Sequence, residues 1–107
     1  MNATARPVVL AVLAASLLGA HVAVRAQDAN LGRQLAATCS NCHGTDGHAR
    51  GDMSPLAGMP AERTLATLAA YRSGALPATI MHQIVKGYTE PQLKLIAEHF
   101  AAQKPKR

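Results

Sequence analysis

Cys39 and Cys42 stand three residues apart, His43 follows at once, and the chain of 107 residues holds no other cysteine. On a turn of helix, residues three apart share a face, so both thiols are presented to one object on one side. A disulfide between them would close too short a loop to add much stability. The chain needs some such staple. It has room for one small domain, and its aromatic residues are Tyr71, Tyr88 and Phe100, with no Trp to fill a core. Domains this small commonly recruit a disulfide, a metal or another cofactor.

C-x-x-C-H is the attachment signature of haem c, one covalent haem per motif. Thioethers from Cys39 and Cys42 can reach the two vinyl groups of one porphyrin, and His43 can then bring an imidazole nitrogen under the iron as proximal ligand. The macrocycle would also supply the apolar bulk that the aromatic-poor sequence lacks. A thioredoxin-like C-x-x-C needs a βαβ setting, which the hydrophobic pattern does not offer, and has no use for the following His. A zinc site needs a second ligand pair, and His43 and His48 begin directly at Cys42 instead of after the usual spacer.

Met53, Met59 and Met81 are candidates for the distal side of the iron. Met81 is favoured, because it lies far downstream, between the middle and last helices, where the chain must return across a flanked cofactor. A soft thioether favours ferrous iron, so His/Met ligation raises the reduction potential and suits an electron acceptor. His48, His82 and His99 are further nitrogen donors, each equally readable as a surface or capping residue. Tyr71 and Arg72 end the middle helix, either as contacts to a haem propionate or as an exposed helix terminus.

Residues 1–26 read as a secretory signal peptide: a positive start at Arg6, an apolar run from Pro7 to Ala20, and Val24-Arg25-Ala26 before the cut. Export to the periplasm is expected, with cleavage after about Ala26 and a monohaem domain over 27–107. The apolar run is shorter than the ~20 residues that span a bilayer, so no membrane span is expected after cleavage. Cleavage removes Arg6 and Arg25, leaving nine basic residues against six acidic and a formal charge of +3. No aromatic-interleaved basic stripe appears, which argues against nucleic acid as a partner.

The pattern of the remaining chain is all-α. A first short helix is expected over Asn30 to Thr38, with Gly32 permitting close approach of another backbone. Gly44 to Pro60, holding four Gly and two Pro, reads as a loop wrapped around something. A middle helix follows Pro60, with Leu65, Leu68 and Ala69 on one face and Gly74 as its stop. A shorter stretch is expected over Ala78 to Lys86. Thr89 and Gln92 form a capping box for the last helix, which presents Leu93, Ile96, Ala97 and Phe100 until Lys104-Pro105 ends it.

With the motif near the mature N-terminus and a methionine before the last helix, the sequence resembles the class I cytochromes c, a small fold of about three to five helices around one haem. Tyr71-Arg72-Ser73-Gly74, Met81 through Thr89, and Ile96-Ala97-Glu98-His99-Phe100 resemble more narrowly the cytochrome subunit of flavocytochrome c sulfide dehydrogenase and its cytochrome c4-like relatives. That resemblance implies that Met81, seven residues before Tyr88, is the axial ligand. Pro55-Leu56-Ala57-Gly58 is similar to the family's stretch on the distal side. The chain departs from many relatives in carrying one haem motif where they carry two, and in His99, where they usually place a Tyr. The resemblance implies a flavoprotein sulfide dehydrogenase subunit as electron donor, with other redox carriers as acceptors. The competing expectations are a stand-alone cytochrome c4-like or c553-like carrier feeding a terminal oxidase, and a five-coordinate haem enzyme or gas-binding protein. The residues offer no general base, nucleophile or substrate pocket, so a carrier without catalysis of its own is expected.

Overall fold

Helix α1 runs over residues 29–43, past the expected end at Thr38. Thr38 to Asn41 are weak helix formers but none is a breaker, so the helix continues until Gly44 turns it off with a φ of 81°. Gly32, Ala36, Cys39 and His43 thereby recur at helical spacing along one rod, and the C-x-x-C-H motif is the end of α1. The computed structural model describes residues 29–106; the expected signal segment, residues 1–26, lies outside the described residues.

The Gly44–Pro60 segment is the expected loop, folded around one carbonyl. A single 3₁₀ turn at Thr45–Gly47 places the Gly47 oxygen where the backbone N–H groups of Ala49, Leu56 and Ala57 donate to it at 3.1, 2.9 and 3.2 Å. Gly47 is buried with a φ of 77°, and a Cβ there would meet the Ala57 nitrogen at 2.6 Å and the Phe100 ring at 2.9 Å. Two ties fasten this loop to the end of the chain. The Gly58 N–H donates to the Phe100 carbonyl at 2.9 Å, and His48 Nε2 lies 2.8 Å from the Lys104 carbonyl.

Helix α2, Ala61–Ser73, is capped by Pro60 and stopped by left-handed Gly74. Its packed face is Thr64, Leu65, Leu68 and Tyr71; Ala69, expected on that face, is exposed. Helix α3 is shorter than expected, Met81–Ile84, continuing as a 3₁₀ turn over Val85–Gly87. Ile80, with a φ of −137°, is its non-helical N-cap.

Helix α4, Glu90–Ala101, opens with the expected capping box: the Gln92 N–H donates to Thr89 Oγ1 at 3.4 Å and the Thr89 N–H to Gln92 Oε1 at 2.9 Å. It ends at Ala101, short of Lys104, where the Gln103 side chain turns back to the His99 carbonyl at 2.7 Å. Leu93, Ile96, Ala97 and Phe100 are all buried as the periodicity predicts. The described residues thus form four helices and no strand.

The fully buried apolar residues are Ala36, Val85, Leu93, Ile96, Ala97 and Phe100. Around them Leu35, Cys39, Leu56, Leu65, Leu68, Tyr71, Met81 and Tyr88 are only partly covered. Helix α1 crosses α4 where Gly32 meets Leu95, a Cβ on Gly32 falling 2.8 Å from the Leu95 oxygen. The close approach expected of Gly32 is therefore made, with His99 beside it instead of obstructing it.

Candidate functional site

The end of α1 and the loop that follows it meet at His43. Its Nδ1 lies 2.8 Å from the Ser54 carbonyl oxygen. A carbonyl only accepts, so Nδ1 carries the proton and the neutral ring keeps an unprotonated Nε2 lone pair. That is the tautomer a metal-ligating imidazole needs, and the carbonyl also fixes the ring's orientation. Ser54 precedes Pro55, which biases it toward extended backbone.

Cys39 and Cys42 are free thiols on the same helix. Cys39 packs against the buried cluster and Cys42 is exposed. Burial pushes the Cys39 thiol above its ordinary value, and a backbone hydrogen bond offsets part of that rise. The site therefore has an inner cysteine against apolar side chains and an outer one open to solvent.

Met81 begins α3 and packs against the same cluster. Met53 is 42% exposed and adjoins Ser54, the residue that holds His43. Leu56, Leu65, Leu68, Tyr71 and Met81 come from the loop, α2 and α3, and all present partly uncovered apolar surface to the same core. This fits a large apolar group: the chain gathers apolar side chains from three segments yet leaves them incompletely buried, and Cys39 of the motif packs with them.

The other histidines have different surroundings. Both ring nitrogens of His48 face carbonyl oxygens, Thr45 at 3.1 Å and Lys104 at 2.8 Å, so neither is turned toward the cluster. His99 packs edge-on against Phe100 with ring centroids 5.2 Å apart, and its Nε2 lies 3.9 Å from Asp46. Arg72 is neither a loose helix terminus nor free to reach outward. It donates to the carbonyls of Val85 and Tyr88 at 2.9 and 2.7 Å and pairs with Glu90.

Sequence reasoning did not anticipate Ser54 as the partner of His43, the tie from His48 to Lys104, or the bonds of Arg72. Pro55 was the one available signal for the first. An open cavity of about 630 Å³ lies elsewhere, at the α1–α4 crossing, lined by Gly32, Leu95 and His99 among others and by none of Cys39, Cys42, His43 and Met81.

Residues 29–99 match the family model described as cytochrome c. The chain is 33% identical over 81 residues to the cytochrome subunit of sulfide dehydrogenase of Chlorobaculum tepidum, covering 76% of this chain and 74% of that protein. It is 33% identical over 69 residues to cytochrome c-553 of Desulfomicrobium norvegicum, covering 62% of this chain and 86% of that protein. With cytochrome c-552 of Acidithiobacillus ferridurans it shares 33% identity over 64 residues, which is 60% of this chain and 28% of that one.

Proposed function

The chain belongs to the cytochrome c family and transfers electrons through covalently attached haem c, and from that premise we propose that Cys39 and Cys42 hold the haem, with His43 and Met81 as its axial ligands. The observation that carries this reading is the His43 to Ser54 contact, which leaves Nε2 bare at the end of the helix that bears both cysteines. When bound, the haem supplies a one-electron ferric/ferrous couple. The protein's own residues do the rest. Cys39 and Cys42 anchor the group so that it is not lost during transient docking, Ser54 orients His43, and Leu56, Leu65, Leu68 and Tyr71 exclude water from its faces. With Met81 on the distal side no position is open to a substrate, so the chain exchanges electrons without catalysing a bond change.

The donor in this reading is a sulfide-oxidising flavoprotein, supported by the likeness to a sulfide dehydrogenase cytochrome subunit. When bound, a c-type haem would supply a one-electron couple compatible with a donor flavin that collects two electrons. In this reading residues 1 to about 26 direct export to the periplasm and are cleaved from the exported chain. No helix among the described residues is long and apolar enough to cross a membrane. A second reading, a stand-alone carrier that feeds a terminal oxidase, is favoured by the match to cytochrome c-553, which spans 86% of that protein.

Purification from the native host followed by anaerobic addition of sulfide separates the two. Copurified flavin with rapid haem reduction supports the flavoprotein reading; a lone cytochrome that sulfide reduces no faster than unrelated cytochromes removes it. An intact mass equal to residues 27–107 plus one haem, stable to acid-acetone, is expected for the exported, covalently loaded chain. Loss of the near-infrared sulfur-to-iron band in Met81→Ala tests the distal ligand, and a high-spin wild-type ferric spectrum would overturn it in favour of a five-coordinate haem.

A further inference from the structure

Arg72, in the last turn of α2, reaches beyond its own helix to three partners on the far side of Met81. Its Nη2 donates to the Val85 carbonyl at 2.9 Å and the Tyr88 carbonyl at 2.7 Å, while Nη1 pairs with the Glu90 carboxylate. Along the chain Arg72 comes nine residues before Met81, and Val85 and Tyr88 come four and seven after it. The guanidinium therefore closes the base of a loop that carries Met81. One side of the closure is anchored in the core, where Val85 is 1% exposed.

We propose that Arg72 is a positioning residue for the distal ligand: by clamping the carbonyls of Val85 and Tyr88 to α2, it keeps residues 73–88 in the register that holds the Met81 sulfur at the iron. The proposal rests on Met81 being that ligand. A thioether is neutral and sits on a flexible side chain with three rotatable bonds, so how long it stays in place depends on how firmly its backbone is held.

The three bonds of Arg72 are not equal. The Glu90 side chain is 74% exposed and that of Arg72 is 32% exposed, so their ion pair is screened by solvent and contributes little. The two carbonyl bonds are charge-assisted and part-buried, the stronger class of hydrogen bond. Both are donated by the single Nη2, whose two N–H bonds are fixed in the guanidinium plane, whereas a lysine ammonium is a freely rotating point charge on a flexible stem. The clamp is thus the pair of backbone bonds, with Glu90 a minor partner.

The test uses the holoprotein with Arg72→Gln, Arg72→Lys, Glu90→Gln and Met81→Ala, and the double variant Arg72→Gln/Met81→Ala. Three quantities are read: covalent haem content with helical circular dichroism, the near-infrared sulfur-to-iron band, and the rate at which the ferric form captures added imidazole. Arg72→Gln is expected to keep its haem and helices, weaken the band, and capture imidazole about tenfold faster or more, the effect of losing one or two charge-assisted bonds. Glu90→Gln is expected to stay within about twofold of wild type, with Arg72→Lys between the two. In the Met81→Ala background, Arg72→Gln should add no further acceleration, because the ligand it positions is gone.

Imidazole capture at the wild-type rate in Arg72→Gln would overturn the proposal, and so would an equal acceleration in the Met81→Ala background, which would mean general loosening. If Arg72→Gln does not accumulate, Arg72→Lys decides alone, and wild-type kinetics there would sink the clamp. A Met81→Ala protein that keeps the band and the wild-type capture rate would refute the Met81 assignment itself, an outcome distinct from failure of the clamp.

Discussion

His43 Nδ1 lies 2.8 Å from the carbonyl oxygen of Ser54, eleven residues further along the chain. That contact decides the proton's place on the ring, and with it which nitrogen is available to a metal. In the loaded protein, His43→Gly is expected to lose the low-spin spectrum while the thioethers hold the haem, and added imidazole should restore it. Visible absorption of the variant with and without imidazole checks this. A low-spin spectrum in His43→Gly without imidazole would show that another residue supplies the proximal ligand.

The two cysteines should differ in reactivity before haem is attached. Thiolate is the nucleophile, and burial raises the Cys39 thiol above its ordinary value, so the exposed Cys42 is expected to be alkylated first by iodoacetamide near neutral pH. Urea should erase the difference. Because the folded chain holds the Cys39 proton more tightly than the unfolded chain, the stability linked to this group is full below the ordinary thiol range. It is lost as pH rises through the raised value. Mass spectrometry of partially alkylated apoprotein across that range measures both effects; equal labelling in native buffer would contradict the expectation.

Gly32→Ala sets two magnitudes against each other. Alanine favours a helix over glycine by about 1 kcal/mol, but its Cβ would fall 2.8 Å from the Leu95 backbone oxygen, which cannot rotate aside. Overpacking of this sort costs about 1–3 kcal/mol, so a net loss is expected, with α1 and α4 pushed apart. Gly87→Ala is the control, since a Cβ there meets nothing within 4 Å. Its expected effect is neutral to slightly stabilising, and the thermal midpoints of the two holoproteins make the comparison.

Thr89→Ala removes the hydroxyl half of the α4 capping box. The expected cost is about 1 kcal/mol, or roughly 4–8 °C in Tm for a domain of this size. Although the cap is exposed, the loss should be global and cooperative, because α4 supplies four of the buried core residues. A variant that melts within about 1 °C of wild type would show that core packing alone holds α4 in place.

Much of this molecule was legible residue by residue. The C-x-x-C-H spacing, the glycine-rich loop, the capping box at Thr89 and the 3.6-residue rhythm of Leu93, Ile96, Ala97 and Phe100 are local features, carried by side chains within a turn or two of one another. Their physics is short-range, so they survive being read along a line. Helix ends were less legible. The first helix was expected to stop at Thr38 and instead carries the motif to His43, because weak helix formers continue a helix that tertiary packing already supports. Ala69 was expected to pack and is exposed. Gly32 announced a close approach, but that its partner is Leu95 is a fact of the folded chain.

What the tertiary structure alone decided is a set of backbone acceptors. Ser54 fixes the tautomer of His43, the carbonyls of Val85 and Tyr88 hold Arg72, and the Lys104 carbonyl faces His48. Every residue has a carbonyl, so nothing in an amino-acid sequence marks the few that matter. Which of them comes within reach of a given side chain is set by how loop, helix and tail close on one another.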